Sequence, residues 1–295
     1  MFGCNSNCKY LYDKGHIARL NSKFQEAINL FNKAEEFGCS GYDLFIERGL
    51  AYKNINQLKL ALKDYYKALS IDSTKSDIYN NIGVVFIEQK QYNDAFKILK
   101  KSIIIDSTYS LGYLNLGYYY CALKDFDMAI NSFLKAQNLN DKFDINIPYN
   151  LSICYDSLYN KTLALRYYKE FALHIKHADI YYNLALKQID LKMADSAIFY
   201  LHKSLVLNSN VHVLNMLGLA YDLTGQYLKS IEYYYLGLQT DSLKSILTYN
   251  ITYPLEKLRR YKEAINLIDN CNCHYNSKDF NLAKRKNELE NKIKN

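Results

Sequence analysis

Apolar positions in this 295-residue chain fall in two interlocked helical registers. Tyr113, Leu116, Gly117 and Tyr120 sit at i, i+3, i+4 and i+7, one face of a helix. Phe126, Ala129, Ile130, Phe133 and Ala136 form the apolar face of a second. Only Leu123-Lys124-Asp125 separates them, and so short a connection makes the two helices antiparallel neighbours. Gly117 and Ala129 are small where two backbones approach, while Tyr120 and Phe133 fill the volume on either side. One such hairpin cannot bury both of its apolar faces, so stacked copies must share a continuous core.

The same pattern recurs along almost the whole chain. A small residue leads an apolar stretch at Ala27, Ala61, Ala95, Ala129, Ala164, Ala197, Ser230 and Ala264, at intervals of 34, 34, 34, 35, 33, 33 and 34. Twelve residues before each lies Gly15, Gly49, Gly83, Gly117, Ser152, Ala185, Gly218 or Thr252. Four residues after each comes a large apolar side chain, from Phe31 and Tyr65 to Tyr234 and Ile268. A period of 34 with these landmarks resembles the tetratricopeptide repeat (TPR) family. The resemblance implies an all-α, right-handed superhelical solenoid of about eight helix-turn-helix repeats plus a C-terminal capping helix. It divides the chain into a tail (1–7), repeats at 8–41, 42–75, 76–109, 110–144, 145–177, 178–210, 211–244 and 245–276, and a cap at 277–295.

Departures from the period carry their own expectations. Ser73-Thr74-Lys75-Ser76, Ser107-Thr108, Ser209-Asn210 and Asp241-Ser242 stand where caps are needed. Pro148 is tolerable only in a first turn, so its helix should begin near Ile147. Phe171 replaces a small residue and predicts looser packing. Pro254 predicts a kink or break in the first helix of repeat eight. The cap, Ser277 to Lys294, should dock through Phe280, Ala283 and their neighbours.

Composition narrows the function. The chain is 49% hydrophobic, so it folds, and no apolar run approaches the roughly 18 residues of a membrane span. Seven cysteines at irregular spacing match no disulfide framework and read as mostly free thiols. There is no glycine-rich phosphate loop, HExxH, G-x-S-x-G or CxxC, so no catalytic constellation, cofactor or metal is expected. Cys271-x-Cys273-His274 brings sulfur and nitrogen together, but Cys271 also stands at a small-residue core position. Phe2-Gly3-Cys4-Asn5 resembles the end of a bacterial lipoprotein signal, with Cys4 as the lipidation site. The default expectation is a cytoplasmic protein; the alternative is a lipid-anchored protein of the bacterial envelope.

The resemblance places binding on the concave face, lined by the first helix of each repeat. Its sixth positions hold Asp13, Glu47, Asn81, Asn115, Asn150, Asn183, Met216 and Asn250. The asparagines resemble a ladder whose amides, donor and acceptor at once, pair with the backbone of an extended peptide. They also match family consensus at this position, and both readings stand. Tyr118, Tyr149, Tyr182 and Tyr249 flank them. Ten acidic against four basic groove positions, in a chain of net charge +7, predict a neutral or basic partner with apolar side chains and no nucleic acid. The expected function is a non-catalytic scaffold or adaptor binding an extended segment. The alternative is a surface-anchored lipoprotein assembling an envelope complex, which touches membrane only through a lipidated Cys4. Self-association as a homo-oligomer is left open.

Overall fold

The computed structural model describes residues 6–140, 142, 144–240, 243–271 and 281–294. Among these there are seventeen α-helices and no strand. The described residues are all-α, built of successive helical hairpins. It divides into an N-terminal unit, Met1–Leu158, and a C-terminal unit, Tyr159–Asn295.

The N-terminal unit contains α1 (Ser6–Leu20), α2 (Phe24–Glu36), α3 (Tyr42–Asn54), α4 (Leu58–Ile71), α5 (Ser76–Glu88), α6 (Tyr92–Ile105), α7 (Ser110–Ala122), α8 (Phe126–Leu139) and α9 (Asn146–Ser157). Each hairpin closes on the small residues read from the sequence. Gly15, Gly49, Gly83 and Gly117 are buried. A Cβ on Gly83 would lie 2.7 Å from the Leu99 side chain, and one on Gly117 would collide with the Phe133 ring. The reason is close approach: the large residue sixteen positions on packs directly over the glycine backbone.

Every hairpin turns through one residue in the left-handed region: Ser22, Asn56, Lys90 and Lys124 in this unit, all with φ near +60°. A side chain there costs on the order of 1 kcal/mol, so hairpin packing overrides local preference. Glycine takes that place at Gly225, φ +73°.

Capping differs from expectation. Thr74 and Thr108 instead donate backbone N–H and hydroxyl to Asp72 and Asp106, forming turns ahead of α5 and α7. These bonds hold both carboxyls below the usual range. Asp125, read from the sequence only as part of the connection, accepts from Met128 N at 3.2 Å and caps α8. Pro148 sits in the first turn of α9, which starts at Asn146.

A buried ion cluster also stitches this unit. Arg48, 4% exposed, donates to both oxygens of Asp64 at 2.7 and 2.8 Å and to Glu35 at 2.6 Å. Lys67 reaches the other oxygen of Glu35 at 2.8 Å. Burial would raise the Glu35 carboxyl, but the bonds from Lys67 and Arg48 hold it below its ordinary value. The expectation of mostly free thiols also needs correction: Cys8 on α1 and Cys39 after α2 form a disulfide, 31 residues apart. The hairpin brings their Cα atoms to 5.7 Å, a proximity invisible in irregular linear spacing.

The C-terminal unit contains α10 (Lys161–Ala172), α11 (Ala178–Asp190), α12 (Ala194–Leu207), α13 (Val211–Leu223), α14 (Tyr227–Leu238), α15 (Lys244–Lys257), α16 (Tyr261–Asn270) and α17 (Leu282–Lys294). Asn210 caps α13, accepting from Val213 N at 3.0 Å; the expected Asp241-Ser242 cap lies outside the described residues. Phe171 is half-buried against Tyr168, ring centroids 5.6 Å apart. Cys271 is disulfide-bonded and accepts from Thr248 Oγ1 at 3.4 Å.

Two expectations need correction here, a break at Pro254 and docking through Ala283. α15 continues unbroken through Pro254. The proline falls in the final turn, where only the bond to the Asn250 carbonyl is lost before the helix ends. The last helix is held by Leu282 and Leu289, 1% and 0% exposed, whereas Ala283 is exposed and Phe280 lies outside the described residues. Arg285 on α17 binds Thr252 Oγ1 at 2.9 Å and Glu256 at 2.6 Å, and Lys292 also pairs with Glu256. The helix is therefore docked by polar bonds to α15 as well as by apolar burial.

Candidate binding groove

The asparagines predicted to form a ladder are placed on first helices, and Asn115, Asn150 and Asn250 bond across to another first helix. In the N-terminal unit, Asn115 on α7 donates from Nδ2 to Asn80 Oδ1 on α5 at 2.9 Å. Asn150 on α9 donates to Tyr118 OH on α7 at 3.3 Å and to the Asn146 carbonyl at 2.7 Å. Asn81 is half-buried. In the C-terminal unit, Asn250 on α15 donates to Asn215 Oδ1 on α13 at 2.9 Å, while Asn183 on α11 is exposed.

Asn80–Asn115 and Asn215–Asn250 share one offset of 35 residues, one repeat plus one position. Tyr42 uses the same offset to donate to Asp77 at 2.5 Å. The amide nitrogen of these asparagines thus ties adjacent helices together. What remains for a ligand is the amide oxygen, which accepts from a peptide N–H, together with the second N–H of Asn115 and Asn250. Asn80 and Asn215 were missed because they stand one position before the ladder; their 35-residue spacing to Asn115 and Asn250 is the signal that could have found them.

The tyrosines are placed unevenly. Tyr118 is half-buried with its ring edge-on to Phe133, centroids 5.6 Å apart, and burial raises its hydroxyl pKa. Tyr149 is 40% exposed. Tyr182 is half-buried and its pKa is raised by burial. Tyr249 lines a cavity of about 790 Å³ in the C-terminal unit, together with Asn250, Tyr253 and Leu219. Glu256, Arg285 and Lys292 close one side of that cavity, so the C-terminal helix forms part of its wall.

Asp222, also on the cavity wall, is 8% exposed and accepts from Tyr234 OH at 3.0 Å. Burial pushes its carboxyl up to about 6, against the bond from Tyr234 OH that acts the other way. Elsewhere the acidity expected of the groove is partly neutralised. Glu47 pairs with Arg19 and His16, Glu88 with Lys53, Asp190 with Lys161, and Glu256 with Arg285 and Lys292. Lys161, Arg285 and Lys292 come from outside the positions counted in the sequence, which is why the linear count overstated the negative charge.

Among the described residues no group of three or more His, Cys, Asp or Glu side chains is placed to hold a metal ion. Cys273 and His274 lie outside them, as does Cys4. No described helix is long and apolar enough to cross a membrane.

Tetratricopeptide repeat models match residues 42–75, 112–143 and 211–242, and a second model of the same repeat matches residues 76–105. No curated protein matches the sequence. Among solved structures the chain is similar to PilF of Pseudomonas aeruginosa, at 23% identity over 70% of this chain and 93% of that one, TM-score 0.59. It is also similar to a tetratricopeptide repeat protein from Parabacteroides merdae, at 14% identity over 85% of this chain and 100% of that one, TM-score 0.51.

Proposed function

Because the chain belongs to the tetratricopeptide repeat family, whose members act generally as protein-interaction scaffolds, we propose that it is a non-catalytic adaptor binding an extended segment of a partner protein. The observation that carries this reading is the 790 Å³ cavity in which Tyr249, Asn250, Tyr253 and Leu219 converge. A concave site lined by aromatic side chains, with a few polar groups to fix orientation, suits a peptide with apolar side chains. Within the N-terminal unit, Asn81, Asn115 and Asn150 offer acceptors for backbone N–H groups with Tyr118 and Tyr149 beside them, and within the C-terminal unit Asn183 and Tyr182 do the same.

The partner is neutral to basic, because Asp222 and the remaining acidic groups disfavour acidic segments. The test places a photo-crosslinking amino acid at Tyr253 in the full chain, identifies the segment captured, and measures its affinity as a synthetic peptide. Replacing Asn115, Asn150 and Asn183 by alanine, or Tyr249 and Tyr253 by alanine, should weaken binding at unchanged helical content. Binding untouched by both sets would move the interaction off this face.

The Cys8–Cys39 disulfide supports a second reading, because such bonds persist in oxidising compartments and are rare in the cytosol. It favours the envelope alternative, with Cys4 as the lipidated residue, over a cytoplasmic protein. Cell fractionation decides: the protein should sediment with membranes and be released by Cys4→Ser. A wild-type protein found wholly in the cytoplasmic fraction would end this reading.

A further inference from the structure

Cys121, in the last turn of α7, and Cys154, on α9, are free thiols whose sulfurs lie 3.5 Å apart. They are 33 residues apart in the chain and belong to the same unit. Cys154 is wholly buried, while Cys121 is half-buried and within reach of a solute. The same two helices are already joined one turn away, where Asn150 donates to Tyr118 OH. Two sulfurs in van der Waals contact need an approach of roughly 1.5 Å to reach a bond of about 2.05 Å, which side-chain rotation supplies.

We propose that Cys121 and Cys154 form a redox-responsive dithiol, which a low-molecular-weight disulfide converts into a further cystine of the N-terminal unit. The half-buried thiol reacts first. The Cys121 thiolate attacks one sulfur of the small disulfide, forming a mixed disulfide and expelling one small thiolate. Cys154 then loses its proton to solvent and attacks the Cys121 sulfur, expelling the second small thiolate. Two protein thiols are oxidised to one disulfide and one small disulfide is reduced to two thiols, so atoms and electrons balance.

The order of events follows from the environment of each sulfur. A hydrogen bond from the Cys154 thiol lowers the Cys121 pKa against the opposing effect of burial. Donating that bond, together with burial, raises the pKa of Cys154. Cys121 is therefore the attacking thiolate and Cys154 the resolving one. The product joins α7 to α9 covalently beside Tyr118 and Asn150, holding at one spacing two helices that carry proposed groove residues. The chemistry itself does not depend on the binding proposed above.

The test treats the full chain, with Cys8–Cys39 intact, with oxidised glutathione and maps cysteines by alkylation and peptide mass spectrometry. The expected product is a linked pair of peptides carrying Cys121 and Cys154, two hydrogens lighter than the thiol forms and free of glutathione. Both sites should lose their alkylation, regain it after dithiothreitol, and show a raised Tm while linked. Cys154→Ser should instead keep glutathione on Cys121, with circular dichroism checking that the variant folds. Should that variant fail to fold, the wild-type map decides alone. Glutathione retained on wild-type Cys121, both sites still alkylating as thiols, or Cys121 linked to a different cysteine would each overturn the proposal.

Discussion

At the scale of single residues, the fold rests on a few positions where one atom too many or one charge misplaced is felt at once. Gly117 is one: the Phe133 ring occupies the space a side chain would need. Gly117→Leu should therefore lower stability by roughly 1–3 kcal/mol or more, read as a lower urea midpoint at unchanged helical content. Asp222 is another, for the opposite reason. Its carboxyl titrates at about 6 in the folded chain against 3.8 for the unperturbed group. Between those values the folded state binds the extra proton, so stability falls as pH rises through the window and the deficit is full above about pH 6. Asp222→Asn removes the buried charge and keeps an acceptor for Tyr234 OH. It should stabilise the protein at pH 7.5 by on the order of 2–3 kcal/mol and confer no such gain near pH 4, measured by denaturant titration at both pH values.

At the scale of elements, each helix is placed by its hairpin partner and by the helix one repeat on. The turns show how strongly pairing dominates: Lys90, Lys124 and Lys192 adopt φ near +60° because the two helices must meet. The last described helix, α17, covers the apolar cluster of the C-terminal unit. Leu282 and Leu289 close the cluster formed with Leu247, Ile251, Leu255 and Ile268, while Arg285 and Lys292 neutralise Glu256. A chain ending at residue 276 should expose that cluster and leave Glu256 without its two cations. It should self-associate, seen as a higher mass by light scattering and increased dye binding; a monodisperse monomer of unchanged Tm would show α17 to be dispensable.

At the scale of the whole molecule, stability is the sum of neighbouring contacts, not the property of one central core. One apolar cluster runs from Ala18 to Val85 and another from Val211 to Leu289, each within its own unit. Local damage should then stay local. Arg48→Ala leaves Asp64 buried without its guanidinium, a loss of about 3–5 kcal/mol where a buried pair is broken. Hydrogen exchange followed by mass spectrometry should show lost protection in α2 to α4 and none in α13 to α16. Equal loss throughout would mean that the chain unfolds as one cooperative block.

The hairpin register, the small residues beneath Phe31, Tyr65, Leu99 and Phe133, and the family resemblance were all legible in the linear chain. The reason is physical. Within a hairpin the partners sit at a fixed offset of sixteen residues, and the helical period says which side chains face each other. Contacts between hairpins are set by how one hairpin rotates and slides on the next, and that depends on every packed side chain together. So Asn115 turned its amide nitrogen to Asn80, Arg48 found Glu35, and Arg285 came back to Glu256. Cys121 came within 3.5 Å of Cys154 for the same reason. The 34-residue repeat determined which helices form and how they pair; only the stacked structure decided which polar and sulfur atoms meet between them.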